Sequence, residues 1–322
     1  MVDPNAQTCQ YCRRSEQVTS TDKKDPNHSE ESWECHRQTV SGSKYCMFHL
    51  SPDKRDSLGI NAEDLMDEFL RSIESGQKVD KKFLGAHFEN LILNHKKIKS
   101  ESNYPIDLRG VTVDNKIDLE EAEINSPINL RQSNIHHLFA DQATISEDIL
   151  LDVSQIHKIS FIGTKIHGDI SATNMRVTGE SCWDEGRFNG DTNMKGSHFE
   201  ETTSFKGAEF SGEANLLDDD VCFENTVFES SVHFKKAIFR YADFCDAIFK
   251  SNADFTETRF HRDAEFKRSE FFDESIFSGA EFEGGDNVVS DDADFEHTTF
   301  HKRALFDSTK FRHADFHEAE FK

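Results

Sequence analysis

The stretch AIFRYADFCDAIFKSNADF, residues 237–255, decides the fold. Phe stands at 239, 244, 249 and 255, and Ala precedes each by two positions, at 237, 242, 247 and 253. The pattern extends outward in both directions. Phe recurs at 199, 205, 210, 223, 228 and 234 on one side, and at 260, 266, 271, 277, 282, 295, 300, 306, 311, 316 and 321 on the other. Ala208, Ala264, Ala280, Ala293, Ala304, Ala314 and Ala319 keep the slot two before Phe, and Thr258, Ser269, Ser275 and Thr298 fill it elsewhere. Upstream, aliphatics carry the spacing: Leu108, Val113, Leu119, Ile124, Leu130 and Ile135, then Ile145, Leu151, Ile156, Phe161 and Ile166. The steps are five or six residues, commonly alternating. Only 35% of the 322 residues are hydrophobic, yet 29 are Phe, which points to one structural position repeated many times.

A helix does not suit these steps. At ~100° per residue, five residues turn ~140° and six turn ~240°, so successive rings would face opposite sides. Eleven residues return to ~20°, which would allow a right-handed supercoil. However, Gly, Asp, Asn, Ser and Thr fill the intervening positions, and these are poor helix formers. A straight strand fails too, because side chains alternate faces and an odd step turns the ring outward. The chain must therefore bend about every five residues. Four bends close a square coil of ~20–22 residues, and stacked coils make a solenoid with one large and one small inward side chain per face.

Segments such as Ala237-Ile-Phe239, Ala242-Asp-Phe244, Ala247-Ile-Phe249, Ala253-Asp-Phe255 and Ala264-Glu-Phe266 resemble the pentapeptide-repeat family, whose pattern is a small residue, any residue, then Leu or Phe. The resemblance implies an all-β fold, a right-handed quadrilateral β-helix, here with a short N-terminal Cys-rich module and one capping helix. The expected organisation is a Cys/His module at 1–58, a capping helix and linker at 59–82, and the β-helix at 83–322. About ten coils stacked at ~4.8 Å would make a rod of ~48 Å. The six-residue steps depart from the family pattern and should widen some corners. Irregularities near Leu217 and Val289 read as short outward loops, at residues 217–221 and 284–292.

The cap reads as a helix over 61–75. Asn61 is an N-cap residue, Glu63 and Asp64 suit the first turn, and Gly76 suits the stop. Leu65, Phe69 and Ile73 recur at helical spacing beside Met66 and Leu70, so this stripe should cover the first coil. The polar stretch SPDKRDSLG, residues 51–59, reads as the connection before it. No cap follows Phe321 within these residues, and the expectation is a homodimer through the C-terminal coil.

The chain carries 61 acidic and 37 basic side chains, a net charge of −24. Acidity argues against direct binding to nucleic acid or to an anionic membrane, both of which favour Lys and Arg. No apolar run approaches ~18 residues, and the N-terminus lacks a basic-then-apolar leader, so a cytoplasmic location is expected. Seven cysteines, an odd number, argue against a disulfide framework. Four of them open the chain as Cys9-Gln-Tyr-Cys12, Cys35 and Cys46-Met-Phe-His49. Zn2+ takes four N/S donors in a tetrahedron, and a spacing of two intervening residues presents both donors to one ion. Cys9, Cys12, Cys35, Cys46 and His49 thus offer five candidates for four places on a structural Zn2+. Cys35, Cys46 and His49 are the firmer choices, and the alternative is a set of reduced thiols in an unstructured tail. Tyr11, Trp33, Tyr45 and Phe48 should pack around the ion, and His28 should be solvated.

No Gly-rich phosphate loop, HExxH or GxSxG is present, and a repeat rod offers no obvious pocket, so the chain reads as a non-enzyme. His233, His261, His297, His301, His313 and His317 lie between ladder positions and should face solvent. Cys182, Cys222 and Cys245 read as small core residues. The leading functional expectation is a protein-interaction scaffold with an unknown protein partner. The second is an acidic DNA mimic: residues 106–322 hold 44 acidic and 22 basic side chains. The family resemblance adds that some members act this way on a type II topoisomerase, DNA gyrase. Lys235, Lys236, Arg262, Lys267, Arg268, Lys302 and Arg303 interrupt the acidic surface, and a third reading takes the acidity only as an aid to solubility.

Overall fold

The inward ladder imposes a coil of constant length. In the computed structural model, which describes residues 7–13, 33–75, 77–99, 104–212, 221–284 and 293–322, two-residue strands pair in parallel with the next coil. Ile145 lies against Ile166, Ile166 against Phe188 and Phe188 against Phe210, so one coil takes 21 or 22 residues. Three coils are longer: Ile98 meets Ile124 in the first, and further along Phe210 meets Phe239 and Phe282 meets Phe311. In the two later ones the extra residues fall at 213–220 and 285–292, so both expected loops lie, but for Val221 and Gly284, outside the described residues. Two faces are ten-stranded parallel sheets, and the other two run alongside them. The chain is the expected quadrilateral β-helix.

Phe rings form four stacks inside it. Phe205, Phe234, Phe255, Phe277 and Phe306 follow one another at 4.8–5.1 Å with nearly parallel planes. Three similar stacks start at Phe199, Phe210 and Phe223. Between stacks the rings meet edge to face, as Phe244 meets Phe255 at 5.6 Å and 89°. Both geometries suit aromatic quadrupoles. Each ring contributes roughly 1.5–3 kcal/mol by leaving water, so this column is the main source of stability.

The alternation of five and six has a physical cause in the corners. Among the described residues fifteen non-glycine residues adopt positive φ, and every one of these stands two positions after a ladder residue, as Lys236 follows Phe234. Gly163, Gly196, Gly207 and Gly279 do the same. Each marks a tight turn with its third residue in the left-handed region. Every step across such a corner is five residues, and the sixes fall at the two remaining corners. Small polar residues after the tight corner close the coil: Thr164, Thr226, Thr258 and Thr298 donate their hydroxyls to carbonyls of the preceding coil at 2.7–2.9 Å.

The first coils differ in packing. Strands His87–Ile92, Thr112–Asp118, Asn134–Phe139 and Gln155–Ser160 run straight through a corner that is bent in later coils. There the slot two before the ladder holds Leu91, Ile117, Leu138 and Ile159, all buried, where later coils hold Ala253 or Ser275.

At the N-terminal end a helix, α2 (Ala62–Glu74), starts on Asn61, which accepts from the Asp64 N–H at 2.8 Å in a capping box. Leu65, Phe69 and Ile73 are buried, and Phe69 packs on Phe83 at 4.6 Å, so the helix covers the first coil as expected. The expected stop at Gly76 lies outside the described residues. The stretch 51–59 is more than a connection: Pro52–Ser57 forms a short helix, α1. Its Arg55 is buried and donates to the carbonyls of Leu50 and His87 at 2.7 and 2.8 Å, which ties module to solenoid. A further correction concerns Cys222 and Cys245. Cys222 is the outward residue between Val221 and Phe223, and Cys245 follows Phe244, so both lie recessed on the outside against carboxylates rather than in the ladder. Their sulfurs sit 3.9 Å from Asp243 and 3.4 Å from Glu265. Cys182 is likewise the outward residue between Ser181 and Trp183, and is half-buried.

Candidate metal centre

The module is built on a short antiparallel ribbon in which Cys12–Arg13 pairs with Trp33–Glu34. The Cys9 N–H donates to Arg37 O at 2.8 Å and the Cys35 N–H to Tyr11 O at 3.0 Å, which brings the first two sulfurs together. Cys46 opens a single 3-10 turn, Met47–His49, and three residues of that turn place Cys46 and His49 on one side.

Four donors converge. Cys35 Sγ lies 3.8 Å from Cys46 Sγ, and His49 Nδ1 lies 3.2 Å from Cys46 Sγ and 3.5 Å from Cys9 Sγ. All four donor atoms lie within 4.8 Å of one another, close enough to hold one metal ion. A tetrahedral zinc with Zn–S of ~2.3 Å and Zn–N of ~2.0 Å sets S–S near ~3.8 Å and S–N near ~3.5 Å, so the arrangement fits a Cys3His ion site. The fifth sequence candidate, Cys12, has its backbone in the ribbon, and its side chain lies outside the described residues.

The surroundings hold the donors in place. His49 Nε2 lies 2.9 Å from Leu84 O, which assigns the ring proton to that nitrogen and leaves Nδ1 for an ion. Tyr11 stacks on the imidazole at 3.9 Å and 4°. Cys9, Cys35 and Cys46 are buried. Without an ion the thiols compete for negative charge. Hydrogen bonds with Cys35 and Cys46 pull the Cys9 thiol down, and those with Cys35 and Cys9 push Cys46 up. Burial draws the His49 imidazole down, but hydrogen bonding to Cys35 and Cys9 outweighs it and holds the ring up at about 9. A pocket of three thiols and one imidazole suits a dication, which binds by releasing the thiol protons.

Three features escaped the sequence reading. Arg37 lies over Phe48 at 4.7 Å and Phe83 at 4.6 Å and donates to Ser72 Oγ at 3.0 Å, riveting module, helix and first coil together. The Leu84 carbonyl orients His49. Gly85, at φ +66°, lets Tyr11 close over the corner, because a Cβ there would lie 1.7 Å from the Tyr11 hydroxyl. None carries a signal in its spacing, since each depends on how the cap docks. The six expected surface histidines lie outward, and several pair with carboxylates, as His261 does with Glu283 at 2.7 Å.

Residues 216–259 match the family model for pentapeptide repeats (9 copies). Among solved structures, a trypsin-treated form of QnrB1, a plasmid-mediated fluoroquinolone resistance protein, is 15% identical, covers 73% of this chain and 91% of its own, and has a TM-score of 0.25. HetL, a pentapeptide repeat protein involved in heterocyst differentiation regulation from the cyanobacterium Nostoc, is 9% identical, with 81% and 94% covered and a TM-score of 0.28. No curated protein matches the chain.

Proposed function

We propose that this pentapeptide-repeat protein is a non-catalytic interaction scaffold. Its rod offers flat faces to protein partners, and its N-terminal module holds one structural Zn2+ through Cys9, Cys35, Cys46 and His49. The observation that carries this reading is the order of the outer surface. Two-residue strands stand in register from coil to coil, and acid–base pairs bridge them, including Lys97–Glu123, Lys158–Glu180, Arg187–Glu209, Arg259–Glu281 and Arg268–Asp246. Such a surface is rigid, patterned and long enough for more than one partner. The test is capture from lysate with the full chain as bait. The reading expects two proteins that share no contact without the chain, each lost on charge reversal of a different face. Capture unaffected by reversal on every face would contradict it. For the ion, elemental analysis should find one zinc lost in Cys46→Ser, and a folded protein free of metal would end that part.

The alternative is the acidic DNA mimic, favoured by a net −22 over the coils from residue 106. Much of that charge is spent within the rod. Asp141, Asp152 and Asp184 each accept from a Ser hydroxyl and a backbone N–H of the following coil. A gyrase supercoiling assay separates the readings: no effect at micromolar protein favours the scaffold, and an effect abolished by reversing Asp218, Asp219 and Asp220 favours the mimic. The coil carrying Phe306, Phe311, Phe316 and Phe321 is the least covered, with Phe321 59% exposed. We propose that a second copy stacks there. Sedimentation should show a dimer at micromolar concentration, and a monomer alone would remove this contact.

A further inference from the structure

The open corner of the first coils carries a group of imidazoles. In strand Asn134–Phe139, Ile135 and Leu138 point into the core and leave both His136 and His137 outside. The next coil repeats the arrangement: Ile156 and Ile159 are buried, and His157 lies between them on the outside. Register pairs Ile135 with Ile156, so His157 lies directly over His136, with ring centroids 4.9 Å apart. His137 lies 4.2 Å from His136. One ring nitrogen from each of the three comes within 4.8 Å of the others.

The site is concave. His136 and His157 line a groove of about 250 Å³ with Thr112, Asp114, Asn134 and Gln155. Gly179, in the corner of the following coil, keeps its rim clear: a Cβ there would lie 3.0 Å from His157 Cε1 and 2.6 Å from His157 O. His157 Nδ1 is 3.0 Å from the Thr178 hydroxyl, which leaves Nε2 for a ligand.

We propose that His136, His137 and His157 form a second metal site, separate from the cysteine module, for a first-row dication such as Zn2+. Three imidazoles from two coils suit such an ion, and their nitrogens already lie within 4.8 Å of one another. The groove leaves the remaining positions open to water or to an exchangeable donor. The ion would staple two coils across the corner that has no tight bend. The strand runs straight through that corner in both coils, which sets His136 and His157 in register on its outside.

Equilibrium dialysis of the full chain against micromolar Zn2+, followed by elemental analysis, tests it. The wild type should hold two zinc ions, and His157→Ala and His136→Asn should each hold one, with unchanged circular dichroism. Cys46→Ser should keep one ion and lose it when His157→Ala is added. Zinc should also shift the imidazole proton resonances of His136 and His157 in the wild type. Zinc content that is the same in the wild type as in both histidine variants, whether one ion or two, overturns the proposal. Loss of the cysteine-bound ion alone would count against the module and leave the histidine result readable.

Discussion

The coils before residue 172 and those after residue 199 solve one packing problem with different residues. In the early coils the two inward slots of one face hold Ile106 and Leu108, Ile128 and Leu130, or Ile149 and Leu151. In the late coils the same face holds Ala242 and Phe244, Ala264 and Phe266, or Ala293 and Phe295. Each pair places comparable bulk inside the coil, because interiors are close-packed and no slot can be left empty. What stays constant is the tight corner, with its left-handed residue two after the ladder. What varies is how the volume is divided between the two slots.

The largest expected effect is in the aromatic half. Phe255→Ala, at a fully buried ring touching both stacked neighbours, should cost about 3–5 kcal/mol by chemical denaturation, and Leu130→Ala about 2–5 kcal/mol. The comparison sharpens with a swap. Leu130→Phe alone should overpack the aliphatic coil and cost about 1–3 kcal/mol, and adding Ile128→Ala should restore most of it. If the pair is no better than the single change, shared volume is not what unites the two halves. Val153 is a smaller case: a β-branched residue at φ +59°, 54% exposed. Val153→Gly should raise stability by up to about 1 kcal/mol, because glycine adopts that corner without strain. Smallest is Lys310→Ala, which breaks an exposed pair with Glu281 and should change stability by less than about 1 kcal/mol.

The ladder was legible because Phe is rare enough at other positions to reveal its spacing, and the corner followed from that spacing alone. Ala140 and Ala172 hold ladder positions yet look like the small slot before them, so they were hidden, as was Trp183. The sixes were visible as spacing, but the rule that they avoid the tight corners needs backbone angles to see. At the N-terminal end the donors Cys9, Cys35, Cys46 and His49 were visible as a spacing. Arg37 and the Leu84 carbonyl were not, because docking brings them in. The three imidazoles were invisible for a related reason: His136 and His157 meet only through a coil length of 21, which sequence reading placed no closer than about 20–22.

Nuclear Overhauser contacts between ring protons in a Phe-labelled, otherwise deuterated sample test the ladder most directly. The account predicts cross-peaks linking Phe234 to Phe255 and Phe255 to Phe277, residues 21 and 22 apart, with ring centroids at 4.8 Å. A spectrum in which those contacts are missing, with the rings instead near solvent, would contradict it.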